Sequence, residues 1–156
     1  MIQLALVRHA KSDWGSPELD DHDRPLNDRG RSDAPSMASK YARERFTPDV
    51  ILSSTALRAC TTAGFFAEAL GMSLELQEQL YGAPASLLLT AAAKSGHCSV
   101  MVVAHDPGMS VLASHLSGER IQAMPTCAVA TFAWDEDDWS AVDALEPVNW
   151  SFNTPR

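Results

Sequence analysis

Residues 2–10 read IQLALVRHA, and this stretch decides the fold. From Ile2 to Val7 the side chains are apolar except for Gln3, and the run then ends abruptly in Arg8 and His9. A run without polar alternation is the pattern of a strand buried on both faces, as in a parallel sheet covered by helices. Two further stretches have the same make-up: DVILS at Asp49–Ser53 and SVMVVAH at Ser99–His105. Helical patterns follow them at Ser54–Leu70 and Pro107–Leu116, and others lie at Asn27–Phe46 and Ala85–Lys94. Pro35 inside the first of these predicts a kink or a late helix start. Later strands are expected at Ser73–Gln77, Ala128–Trp134 and around Ala141–Leu145. The alternation predicts an α/β fold, a three-layer α/β/α sandwich on a mostly parallel central sheet.

The chain of 156 residues fits one compact domain, expected over 1–148 with a C-terminal tail at 149–156. Its 20 acidic and 12 basic residues leave a net charge of −8, which argues against nucleic acid or an anionic membrane as partner. The expected partner is a phosphorylated protein or a small phosphate-bearing substrate, because a few converging arginines can hold phosphate on an otherwise acidic molecule. Cys60, Cys98 and Cys127 form neither a disulfide framework nor a metal motif and read as reduced thiols. The opening MIQLALVRHA lacks a basic lead-in, and its apolar run is too short for a signal peptide. With no stretch long enough to span a membrane, a cytoplasmic location is expected.

The three apolar strands end in Arg8-His9, Ser53-Ser54 and His105-Asp106. Ligands of open α/β sheets bind outside the carboxyl ends of the strands. Arg8, His9 and His105 are thus delivered to one edge, joined by Arg58 from the first turn of a following helix. Two guanidiniums offer forked donors that match phosphate oxygens, and two imidazoles supply a nucleophile and a further donor. Helix N-termini near Ser54 and Pro107 add positive dipole ends.

Three motifs in this arrangement resemble those of the histidine phosphatase superfamily, the phosphoglycerate-mutase-like family. LVRHAKSDW is similar to its RHG signature, SSTALRACTTA to its second motif, and VVAHDPGM to its GHNP motif. The resemblance runs from Ile2 to about Trp134. The short length and HDRPLNDRGRSDAP look most like the SixA-type phosphohistidine phosphatases. The resemblance implies a metal-independent phosphatase with no cofactor, in which His9 attacks phosphorus and forms a phosphohistidine enzyme that water hydrolyses. Arg8, Arg58 and His105 complete the phosphate pocket, Ser12 matches the family serine, and Arg24 is a candidate third guanidinium. Cations beside His9 disfavour its protonated form and stabilise charge in the transition state.

Two positions depart from the family pattern. Asp106 stands where Asn is common, as an N-cap ahead of Pro107 that also brings negative charge near phosphate. Gly15 replaces an Asn of the mutase-like members. For protonation of the leaving group Glu78, in LQEQLYG, is the candidate general acid, resembling the E-x-x-Y-G of the mutases; it reads equally as a surface carboxylate. SixA-type members often manage without such an acid. Asp13, Asp20, Asp21 and Asp23 read as a solvated loop whose spacing misses the EF-hand pattern, although Arg24 could pair with Asp21 or Asp23. His22, His97 and His115 read as loop or surface histidines, and Trp134, Trp139 and Trp150 as packing residues. Two other functions remain open on these motifs: a small-molecule phosphomonoesterase, and a phosphate-binding module without turnover.

Overall fold

The computed structural model describes residues 1–44 and 46–156. Six strands form one sheet: β1 (Ile2–Arg8), β2 (Val50–Ser53), β3 (Glu75–Leu76), β4 (Ser99–Ala104), β5 (Val129–Trp134) and β6 (Asn149–Asn153). Four helices accompany them: α1 (Asp28–Ala42), α2 (Leu57–Leu70), α3 (Ala85–Ala93) and α4 (Gly108–Leu116). The strand order is β3-β2-β4-β1-β5-β6. The first four of these pair in parallel, and β5 and β6 add on antiparallel.

The sheet separates two cores. Leu4 and Leu6 of β1 face one way, onto Leu88 and Ala92 of α3 and Met109, Leu112 and Leu116 of α4. Ala5 and Val7 face the other way, onto Ala34, Met37 and Tyr41 of α1 and Ala63 and Phe66 of α2. Burial on both faces is why β1 carries no polar alternation. The register sets Arg8 opposite Ala104 and Ser53 opposite Val103, so three strand ends finish level at one edge.

The element list departs from expectation in three places. Helix α1 starts at Asp28, with the Asn27 side chain accepting from the Gly30 amide at 2.9 Å, and runs through Pro35 instead of starting after it. Its burial of Gly30, Ala34, Met37, Ala38 and Tyr41 repeats every three or four residues, and this packing outweighs the missing proline donor. The helix ends at Ala42; its expected extension to Phe46 crosses Arg45, which lies outside the described residues.

The strand expected at Ala141–Leu145 is a 3₁₀ turn at Trp139–Ala141 followed by a turn that inserts Val142 into the core. Asn149–Asn153, within the segment expected to be a tail, supply the strand instead. In β6, Trp150 sits opposite Phe132 and stacks on it at 6.4 Å, and Thr131 and Ser151 hydrogen-bond across the pair on the other face. Such cross-strand pairs are what hold an edge strand. Arg156 then reaches Asp33 of α1 at 2.9 Å. The structured fold therefore continues through the segment expected to be a tail.

Candidate active site

Beyond β1 the chain carries His9, whose amide donates to the Ala104 carbonyl at 3.1 Å. The Cys127 amide donates to both the Arg8 and His9 carbonyls, at 3.1 and 3.0 Å. Cys127 holds this position in the left-handed region at φ 63°, a conformation that costs a non-glycine residue about 1 kcal/mol or more. Its thiol is buried, and burial pushes its pKa up to about 12. The first turn of α1 closes on the loop after His9 so tightly that a Cβ on Gly30 would lie 2.2 Å from the Lys11 carbonyl oxygen. Gly108 likewise brings the start of α4 against Ala83, where a Cβ would meet the carbonyl oxygen at 2.2 Å.

His9 is 7% exposed, Arg58 6% and His105 6%. The two imidazole rings lie 5.1 Å apart. His9 Nδ1 bonds the Ala10 carbonyl oxygen at 2.7 Å; a carbonyl only accepts, so Nδ1 carries the proton and Nε2 keeps its lone pair. Burial above all pushes the His9 pKa down from 6.5 to about 4. The Ala10 hydrogen bond opposes this, and the charges of Arg58, Arg8 and Arg24 reinforce it. For His105 burial, then His9 and Arg58, lowers it to about 3. Both rings are neutral at pH 7.

Arg58 occupies the second position of α2. The Thr62 hydroxyl donates to the Arg58 carbonyl at 2.8 Å and accepts the Ala10 amide at 3.0 Å, tying α2 to the loop after His9. His105 Nε2 bonds Ser54 Oγ at 2.8 Å, while Ser54 Oγ accepts the Ala56 amide at 3.2 Å. The hydroxyl keeps its proton and a second lone pair for this contact, so either end can donate, and His105 Nδ1 is left buried without a protein partner.

Arg24 is joined to the cluster. Its segment is zipped to the loop after His9 by a bridge between Ser12 and Leu26 and by the Asp13 amide on the Pro25 carbonyl at 2.8 Å. Arg24 Nη2 donates to Ser12 Oγ at 3.2 Å, and its guanidinium lies 3.3 Å from the ring centre of Trp14, which is itself 75% exposed. Ser12 thus orients Arg24. Gly15 sits in an exposed turn, its amide on Asp13 Oδ1 at 2.7 Å.

Asp106 faces α4. Its carboxylate accepts the Ser110 amide at 2.9 Å and the Ser110 hydroxyl at 2.7 Å, and Arg8 Nη1 stands 3.6 Å away. The aspartate therefore caps the helix from one residue further out than an N-cap, with its charge met by Arg8. Arg8 Nη1 also donates to the Met124 carbonyl at 2.9 Å.

Sequence reasoning missed the residue that links these groups. Asp21, in a 3₁₀ turn at Asp21–Asp23, offers its carbonyl to Arg58 Nη1 at 2.7 Å and its Oδ2 to Arg58 Nη2 at 3.0 Å. The Tyr81 hydroxyl donates to the same Oδ2 at 2.5 Å, and Oδ1 is 3.2 Å from Arg24 Nε. The Tyr81 ring stands edge-on to His105 at 5.5 Å and to His22 at 5.0 Å. His22 in turn bonds Thr55 at 2.8 Å. Nothing in a run of loop aspartates singles out Asp21; the nearby Arg24 was the one available signal. Glu78 begins a short 3₁₀ turn and is exposed, and among the described residues no hydrogen bond or ion pair joins its side chain to the cluster.

Among the described residues, most of the buried side-chain polar atoms left without an aligned partner belong to this cluster: Arg8 Nε, Arg24 Nε and Nη1, Arg58 Nε and His105 Nδ1; the Tyr41 hydroxyl and Asp33 Oδ2 on α1 are the others. A set of donors without acceptors, around an imidazole with a free lone pair, is built for a group that is all acceptor. Among the described residues no group of three or more His, Cys, Asp or Glu side chains is arranged to hold a metal ion.

Comparison with known proteins agrees with this geometry. The profile of the histidine phosphatase superfamily (branch 1) matches residues 4–82. The chain belongs to that superfamily. An uncharacterized protein of Mycobacterium tuberculosis is 33% identical, across 96% of this chain and 100% of its own length. The SixA of Agrobacterium tumefaciens, named as a phosphohistidine phosphatase, superposes with a TM-score of 0.81 at 29% identity, over 96% of this chain and 97% of that one. A SixA protein histidine phosphatase solved with tungstate superposes at 0.76 and 25% identity, over 98% of this chain and 95% of that one. The α/β fold is thus that of this phosphoglycerate-mutase-like family, and phosphatase chemistry comes with it.

Proposed function

We propose that this histidine phosphatase dephosphorylates phosphohistidine in a protein, through a phosphorylated His9. The carrying observation is the cluster of buried, unpartnered donors around the neutral His9 ring. His9 Nε2 attacks phosphorus, its lone pair forms the new P–N bond, and the bond to the leaving group breaks. Arg8, Arg24, Arg58 and His105 donate to the equatorial oxygens as charge builds on them. Water then attacks the phosphoenzyme, the electron pair returns to Nε2, and dihydrogen phosphate leaves. On this path the His9 Nδ1–H bond to Ala10 persists, so the ring is cationic while phosphorylated and departs neutral.

The names of the two SixA structures support phosphohistidine as the substrate group. So do the exposed Trp14 and Tyr81 beside the site, which a protein surface can approach. A phosphotransfer signalling protein in the cytoplasm is the partner class this reading implies. The test is turnover of a phosphohistidine-bearing phosphocarrier beside a panel of phosphate esters. Preference for the phosphoprotein, with an acid-labile phosphoenzyme that disappears in His9→Ala, is the expected result. Activity that survives His9→Ala overturns the mechanism, and preference for esters overturns the substrate.

A further inference from the structure

Asp21 is an acceptor placed among donors. Its Oδ2 is spent on Arg58 and Tyr81; Oδ1 is ion-paired with Arg24 Nε at 3.2 Å but makes no aligned hydrogen bond among the described residues, and the side chain is 50% exposed. The Tyr81 hydrogen bond foremost, with help from Arg58, holds its carboxyl below the usual carboxylate range, so the group is charged when the enzyme works. A phosphoryl dianion offers a carboxylate nothing to accept and repels it. If the site served only to bind phosphate, this charge would weaken it.

The geometry points to Asp21 as a specificity residue that accepts the proton on the far nitrogen of a phosphorylated imidazole leaving group. The inference rests on the proposed phosphohistidine activity and adds how the site tells such a substrate from an ester. When His9 Nε2 forms its bond to phosphorus, the substrate P–N bond breaks and its electron pair goes to the near nitrogen. An imidazole already protonated on its far nitrogen leaves as neutral imidazole, and the enzyme supplies no proton. Asp21 favours that protonated, cationic ring by a charge-assisted hydrogen bond. An ester would place the same electron pair on oxygen, creating an anion beside the carboxylate.

The enzyme treats its own imidazole in the same way. His9 Nδ1–H is held by the Ala10 carbonyl at 2.7 Å, so the phosphorylated His9 is likewise protonated on its far nitrogen and leaves neutral when water attacks. Each of the two imidazoles that exchange the phosphoryl group then has one acceptor: Ala10 O for the nucleophile, Asp21 Oδ1 for the leaving group. The Tyr81 ring beside Asp21 stands edge to face with His22 at 84° and with His105 at 78°. This arrangement also explains how the site works with Glu78 outside the hydrogen-bonded cluster.

Asp21→Asn keeps an acceptor for Tyr81 and Arg58 while removing the charge. The experiment compares kcat/KM for N-phosphoimidazole and for p-nitrophenyl phosphate in the wild type and the variant, with a thermal melt to confirm folding and the inhibition constant of inorganic phosphate as a second readout. The expected result is a loss of at least about tenfold on N-phosphoimidazole, the scale of one charge-assisted hydrogen bond. Turnover of p-nitrophenyl phosphate should hold or rise, and phosphate should bind more tightly. Parallel loss on both substrates would mean that Asp21 only positions Arg58 and would overturn the inference, as would an unchanged ratio. A wild type that fails on N-phosphoimidazole altogether sinks the phosphohistidine reading itself. One that succeeds, with its selectivity intact in Asp21→Asn, sinks only the role given to Asp21.

Discussion

The floor of the site and its mouth are built by different means. Arg8, His9 and His105 sit at or just past the ends of β1 and β4, and Arg58 in the first turn of α2; His9, Arg58 and His105 are buried and Arg8 is partly so. The mouth is Trp14, Asp21 and Tyr81, carried by loops and 3₁₀ turns and exposed, with the buried Arg24 reaching from the same loop to the floor. Rigid strand ends present an invariant geometry to the phosphoryl group, which every substrate shares. The loops meet the leaving group, which differs between substrates. On the proposed mechanism the floor sets whether phosphorus is attacked, and the mouth sets whose phosphorus it is. Charge follows the same division: burial strips the floor imidazoles of their protons, whereas hydrogen bonding keeps the mouth carboxylate ionised.

The comparison breaks first if a floor residue proves dispensable. Arg58→Ala removes a buried guanidinium whose Nε has no hydrogen-bond partner among the described residues, and it should cost about 10²–10³ in kcat, the scale for one preorganised donor in a dry site. The loss should appear equally on phosphoimidazole and aryl phosphate, because both carry the same phosphoryl group. Steady-state kinetics on the two substrates test this. A loss confined to one substrate would move Arg58 from floor to mouth.

A second test uses the buried histidines. The folded pKa values of His9 and His105, about 4 and about 3, lie below the ordinary 6.5. Below pH 6.5 the unfolded chain therefore takes up protons that the native state refuses. Stability falls as pH drops, by about 1.4 kcal/mol per pH unit for each histidine until its folded pKa is reached, and these groups contribute no slope above about pH 7.5. Ring ¹⁵N NMR should find both imidazoles neutral at pH 5, with denaturation midpoints declining from pH 6.5 to 4.5. A His9 ring that titrates near 6.5 would show that the floor is wet and would remove the physical distinction between floor and mouth.

The same division explains what could be read from the sequence. Parallel strands buried on both faces leave unbroken apolar runs, and whatever ends such a run stands at the binding edge. Arg8-His9 and His105 were therefore visible before any contact was known. Asp21 was not, because Asp13, Asp20, Asp21 and Asp23 look alike as letters. Which of them reaches Arg58 is decided by the turn at Asp21–Asp23 and by Tyr81, sixty residues on. Arg24 was ambiguous for the same reason: its burial depends on the bridge from Ser12 to Leu26. The edge strand β6 was misplaced because NWSFN is short and half polar, and its stabilising partner, Phe132, lies in another strand. The AVDAL stretch shows the apolar residues of a strand but spends only Val142 on the core.

The smallest effect is expected at Glu78. Its side chain is exposed and joined to the cluster by no described contact, whereas Tyr81, three residues on, reaches the pocket through Asp21. An imidazole that leaves with its own proton on the far nitrogen needs no acid. Glu78→Gln should then leave kcat/KM for phosphohistidine within about twofold, as for a surface substitution away from the site. An alkyl phosphate is the more searching substrate, because its alkoxide cannot depart unprotonated and any acid at the mouth would show as about 10²-fold or more in rate. If Glu78→Gln lowers alkyl phosphate turnover by that amount, the loop carrying it swings into the pocket during the reaction. The mouth would then supply chemistry as well as selectivity. If both substrates are indifferent, the proton question belongs to the leaving group, and the working charge at the mouth is that of Asp21, acting as acceptor and never as acid.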